Sequence, residues 1–83
     1  MKRLFFYGDK AVRAATDLLG SLEGFNPADY EKYSELEVAL QEDGRFSVWG
    51  NLPNDADLLQ DTKKDRDHAV QSVLAYADEI IED

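Results

Sequence analysis

His68, Ser72 and Glu79 are the residues that can most simply be drawn as a catalytic set. His68 is the only imidazole in the chain, and there is no cysteine. Acid–base chemistry near neutral pH therefore rests on that one side chain. If the C-terminal segment is read as one helix, the three residues share its outward face. Nucleophilic catalysis also needs a pocket, an oxyanion hole and a buried acid to orient the imidazole. The spacing provides none of these, so the expectation is that the chain is not an enzyme.

A second set is Asp55, Asp57 and Asp61, whose spacing is similar to the opening of a calcium loop. Such a loop needs a glycine at its sixth position and a bidentate Glu at its twelfth. Gln60 and Arg66 stand there instead. Glycines occur at positions 8, 20, 24, 44 and 50, a spacing that matches neither a Walker nor a dinucleotide-binding loop. No metal and no cofactor is expected.

The third set is Trp49 with Glu35 and Glu37. An aromatic ringed by carboxylates suits an interface anchor that meets a basic partner. The competing reading packs Trp49 beneath the short helix carrying Tyr30 and Tyr33, or against Phe5 and Tyr7.

The bulk charge favours the interface reading. Eighteen Asp and Glu against nine Lys and Arg give −9 at pH 7 in 83 residues. Such a surface is repelled by nucleic acid and by anionic lipid. The one basic stretch, Lys63-Lys64-Asp65-Arg66, is diluted by Asp61, Asp65 and Asp67, so direct nucleic-acid binding is not expected. The leading apolar run, Leu4 to Tyr7, is shorter than the ~7–15 residues of a signal segment. No stretch approaches the ~20 apolar residues of a membrane span. The expectation is one soluble, cytoplasmic domain over residues 1–83, with no membrane partner.

The elements that position these residues are read from periodicity. Leu4-Phe5-Phe6-Tyr7 reads as a strand. Asp9 is the expected N-cap of a helix whose stripe is Ala11, Val12, Ala15, Leu18, Leu19 and Leu22. Asn26 caps a short helix with Pro27 at its first position, and Phe25 and Tyr30 have hydrophobic-staple spacing. Ser34 to Leu52 alternates as a hairpin. A three-residue loop with Gly44 in the left-handed region pairs Leu40 with Phe46 and Val38 with Val48, which keeps one face apolar. Trp49 then lies across from Glu37, on the other face. Asn51 to Asn54 is a turn, and Asn54 caps a helical turn over Asp55–Gln60. Thr62 to Asp65 has capping-box spacing for a last helix running to Glu82, with the stripe Val70, Val73, Leu74, Ala77, Ile80 and Ile81.

The resulting fold class is α+β: a small three-stranded sheet in the order β-α-short α-β-β-α, with helices mainly on one face. Size and acidity are similar to those of acyl carrier proteins. Those are all-helical and open a helix with Asp-Ser-Leu, whereas Ser21 here follows Gly20 at a helix end, and a hairpin follows.

The expected function is that of a small acidic interaction module. It would occlude a basic surface on a partner protein, one that handles nucleic acid. In size and charge the chain resembles small phage-encoded counter-defence inhibitors, including anti-CRISPR proteins and DNA mimics, and immunity proteins that neutralise nuclease toxins. The residues expected to meet the partner are Glu35, Glu37, Glu42, Asp43, Trp49, Asp55, Asp57 and Asp61. The alternative is an assembly subunit that forms an oligomer.

Overall fold

The structure, a computed structural model, describes residues 1–61 and 67–82 of the chain. Strand β1 (Lys2–Tyr7) leads into helix α1 (Asp9–Leu19), and a 3₁₀ turn at Pro27–Tyr30 leads into β2 (Glu35–Leu40). Strands β3 (Phe46–Leu52) and β4 (Asp55–Asp61) complete a meander, followed by helix α2 (Asp67–Leu74) and strand β5 (Glu79–Glu82). The strands form one five-stranded sheet in the order β4-β3-β2-β1-β5, and every neighbouring pair is antiparallel.

The fold class is therefore α+β, but the three-stranded sheet is corrected to five strands. Both additional strands, β4 and β5, lie at sheet edges, in segments whose local pattern suggests helix. Asp55-Ala56-Asp57-Leu58-Leu59-Gln60-Asp61 is poor in β-branched and aromatic residues, and its acids behind Asn54 imitate a capped helix start. Pairing with β3 overrides that local preference. Leu52 faces Asp55 across a two-residue turn, with Pro53 at its first position and Asn54 at φ 64°. A type II turn needs a residue that tolerates positive φ in this second place.

The second error is at the C-terminal end. Helix α2 stops at Leu74, and Tyr76 N–H donates to the Val73 carbonyl at 3.2 Å as the chain turns. Ile80 and Ile81 fit a helical stripe by spacing alone. As adjacent β-branched residues they also suit a strand, and β1 offers them an open edge. In that pairing Ile80 faces Leu4 and Ile81 faces Arg3.

The hairpin has the expected register. Val38 pairs with Val48 and Leu40 with Phe46, while Gly44 turns the loop at φ 88°. Asn26 caps the 3₁₀ turn, its Oδ1 accepting from Ala28 N–H at 3.2 Å. Phe25 and Tyr30 stack with ring centroids 5.0 Å apart. At α1 the cap is Gly8, not Asp9. Asp9 lies inside the first turn, where its charge still meets the positive end of the helix. The expected capping box, Thr62 to Asp65, lies outside the described residues, as do the basic stretch Lys63 to Arg66 and the terminal Asp83.

One face of the sheet carries the core. Leu4, Phe6, Leu36, Val38, Phe46 and Val48 are buried against Ala11, Ala14, Ala15, Leu18 and Leu19 of α1 and Val70 and Val73 of α2. Burying each large apolar side chain contributes about 1.5–3 kcal/mol. Gly50 belongs to this face because the Tyr33 ring lies directly on it. A Cβ placed there would meet three ring atoms at 2.8 Å. The helices thus stack on one side, and among the described residues no element covers the other side of the sheet.

Candidate functional site

The uncovered face is defined by strand register. Its central row crosses all five strands: Glu79, Phe5, Glu37, Trp49 and Leu58. On one side lies the row Ile81, Arg3, Ala39, Ser47 and Asp61, and on the other Tyr7, Glu35, Asn51 and Ala56. Phe5, Glu37 and Trp49 are half-buried, while Leu58 is 48% exposed and Tyr7 43%. Alternation dictates this arrangement: the register that sends Val38 and Val48 to the core sends Glu37 and Trp49 outward.

The strands of this face carry four carboxylates, from Glu35, Glu37, Asp61 and Glu79, against the single guanidinium of Arg3. Three of the four are held by neighbours. Asn51 Nδ2 donates to Glu35 Oε2 at 2.9 Å, the Tyr7 hydroxyl donates to Glu79 Oε2 at 3.1 Å, and Ser47 Oγ donates to Asp61 Oδ1. Neighbouring protein atoms partly desolvate the Tyr7 hydroxyl on its exposed side chain, and hydrogen bonding to Glu35 and Glu79 further retains its proton. Together they push its pKa up to about 12.

The edge of the face beside β5 is clasped by Asp78. Its carboxylate accepts from Lys10 Nζ at 2.9 Å and from Tyr7 N–H at 2.8 Å, and its own N–H donates to the Phe5 carbonyl at 2.9 Å. The Lys10 hydrogen bond, followed by that from Tyr7 N–H, holds the Asp78 carboxyl below its ordinary range.

The expected partner-binding residues divide into three places. Glu35, Glu37, Trp49 and Asp61 share the uncovered face. Glu42 and Asp43 are exposed in the β2–β3 loop, where Asp43 is committed to Arg45. Its Oδ1 accepts from Arg45 N–H at 3.1 Å and its Oδ2 from Arg45 Nε at 2.7 Å. The Arg45 backbone bond is the main cause that lowers the Asp43 carboxyl pKa. Asp55 and Asp57 fall on the helix side of the edge strand β4, opposite Leu52 and Gly50. Asp57 Oδ2 accepts from the Tyr33 hydroxyl at 3.0 Å. That hydroxyl is pushed above its usual pKa, by burial first and then by the Asp57 bond.

The calcium-loop spacing of Asp55, Asp57 and Asp61 thus lies along strand β4, where a register shift opposite Val48 and Trp49 puts Asp61 on the uncovered face and leaves Asp55 and Asp57 on the helix side. Among the described residues no group of three or more His, Cys, Asp or Glu could hold a metal ion. The imagined helix face of His68, Ser72 and Glu79 is also broken, because Ser72 belongs to α2 and Glu79 to β5. No helix among the described residues is long and apolar enough to cross a membrane.

On the helix side, Gly8, Asp9, Val12, Arg13, Glu31 and Tyr33 line an open groove of about 590 Å³. A smaller one of about 460 Å³ is lined by Arg13, Asp17, Ala69, Ser72 and Tyr76. There the Tyr76 hydroxyl donates to Asp17 Oδ2 at 2.6 Å, and the Arg13 guanidinium lies 4.1 Å from the Tyr76 ring centroid.

Phe5, Tyr7, Leu58, Glu79 and Ile81 belong to the uncovered face and are not among the residues expected from sequence to meet a partner. Phe5 and Tyr7 were legible, since they alternate with the core residues Leu4 and Phe6. Leu58, Glu79 and Ile81 were hidden by the helical readings of β4 and β5. Comparisons with known protein families, with curated proteins and with solved structures found no match.

Proposed function

We propose that this chain is a protein-binding module that docks its uncovered sheet face onto a basic surface of another protein. The observation that supports this most directly is the central row, where Trp49 and Phe5 flank Glu37 on a face whose strands carry, among the described residues, four carboxylates and one guanidinium. Aromatic anchors supply contact area at low entropic cost. Carboxylates around them steer a basic partner and fix its orientation. Surfaces that bind nucleic acid are basic for the same electrostatic reason. A nucleic-acid-handling protein is therefore the partner class, and occlusion of its binding surface is the effect, as in a counter-defence inhibitor, a DNA mimic or a nuclease immunity protein.

Affinity capture with quantitative mass spectrometry tests this, comparing the chain with its Glu35→Lys/Glu37→Lys variant at ~0.05 M and ~0.5 M salt. A basic protein retained by the parent chain at low salt, and lost both at high salt and with the variant, is the expected result. Equal recovery by the parent and a folded variant contradicts the reading.

An assembly role is favoured by one observation. Ile80 is 48% exposed at the outer edge of the sheet, where another strand or apolar surface could cover it. Light scattering decides this: a mass that rises with concentration supports assembly, and a constant monomer mass removes its homo-oligomeric form.

A further inference from the structure

Resting on the docking reading above, we infer that the centre of the uncovered face is a receptor for an arginine side chain of the partner protein, with Glu37 taking the guanidinium between Phe5 and Trp49. The first support is the state of Glu37 itself. Glu35, Glu79 and Asp61 each accept a hydrogen bond from a neighbour on the face. Among the described residues none reaches Glu37, and no ion pair does either. A half-buried carboxylate loses part of its hydration, and that loss is recovered when a cation with N–H donors arrives.

The second support is the pair of rings. Phe5 and Trp49 pair directly with Glu37 from the strands on either side. Neighbouring strands stand about 4.8 Å apart, so the two aromatic positions are roughly 10 Å apart with the carboxylate midway. A guanidinium is planar and weakly hydrated. It can bond a carboxylate through two N–H groups while its face lies against an aromatic ring. A lysine ammonium is compact and strongly hydrated, and uses only the charge of such a site. Arg3 stands on the adjacent row, facing Ala39 and Ile81. A second copy of the chain is opposed by the −9 charge that each copy carries.

Trp49 is the only tryptophan, so its fluorescence reports from within the proposed receptor. An arginine-rich peptide and a lysine-rich peptide of equal length and charge are titrated into the chain, with binding measured in parallel by calorimetry. The expected result is a Trp49 emission change that saturates at a roughly tenfold lower concentration of the arginine peptide. Glu37→Gln, which keeps the side-chain size, removes that advantage while circular dichroism stays unchanged. Equal response to both peptides, or an arginine preference that survives in Glu37→Gln, overturns the receptor and leaves the basic-partner reading standing. Calorimetric binding with no change at Trp49 moves the contact off this face and overturns both placements. Absence of binding by either peptide overturns the docking reading itself.

Discussion

Gly50 and Tyr33 show how one residue choice sets the shape of the helix side. The ring takes the space that any Cβ at position 50 would need, and its hydroxyl is tied to Asp57 on the edge strand. Gly50→Ala is expected to cost about 1–3 kcal/mol through overpacking. In a domain of this size each kcal/mol lowers Tm by roughly 4–8 °C, so a thermal melt reads it directly, and an unchanged Tm contradicts the close approach. Tyr7 gives a second test on the opposite face. Its phenol pKa is raised to about 12, against an ordinary value near 10. The folded state therefore holds this proton more tightly than the unfolded chain does. The resulting stabilisation is fully present below about pH 10 and is lost as pH rises toward 12. Ultraviolet titration should show a late phenolate component that shrinks by one tyrosine in Tyr7→Phe, the remainder belonging to Tyr30, Tyr33 and Tyr76, whose hydroxyls are also pushed up; a late component undiminished in Tyr7→Phe contradicts the Tyr7–Glu35–Glu79 contact.

At the scale of elements, the sequence is most legible where periodicity, turn chemistry and burial agree. In the β2–β3 hairpin all three coincide: only one register keeps Leu40, Phe46, Val38 and Val48 on one face, and Gly44 permits the loop it needs. Gly44→Ala places a side chain at φ 88° and is expected to cost about 1–2 kcal/mol, measurable by denaturant unfolding. At β4 and β5 the local signals pointed to helix, and the deciding interaction is long-range pairing with strands already in place. The candidate face was legible to the same extent. Glu35, Glu37 and Trp49 follow from the hairpin, whereas Leu58, Glu79 and Ile81 needed the two edge strands. Strand β5 has only four residues and leans on the Asp78 clasp. Because the Asp78 carboxyl is held below its ordinary range, its contribution is present above the usual carboxylate pKa of about 3.9 and is lost as pH falls. Asp78→Asn should speed amide hydrogen exchange over Glu79–Glu82 while leaving the β2–β3 pairing protected. Uniform acceleration across the sheet contradicts a local clasp.

Among the described residues the molecule is a sheet with two unlike sides, one packed against α1 and α2 and the other without a covering element. Its edges carry charge, with Asp55, Asp57 and Asp61 on β4 and Glu79 and Glu82 on β5. Charges on edge strands discourage pairing with other chains, which leaves the face as the surface suited to specific contact. Bulk charge and a defined docking face make different demands on mutation. Glu37→Lys/Glu79→Lys and Glu42→Lys/Asp55→Lys change the net charge equally, but only the first pair lies on the uncovered face. The decisive measurement is the calorimetric affinity of both double variants and the parent chain for the same arginine-rich peptide at ~0.1 M salt. The account predicts at least a roughly tenfold loss, about 1.4 kcal/mol, for the face pair, with the remote pair staying within a few-fold of the parent. Equal losses in the two variants would contradict it, because net charge alone would then explain the binding.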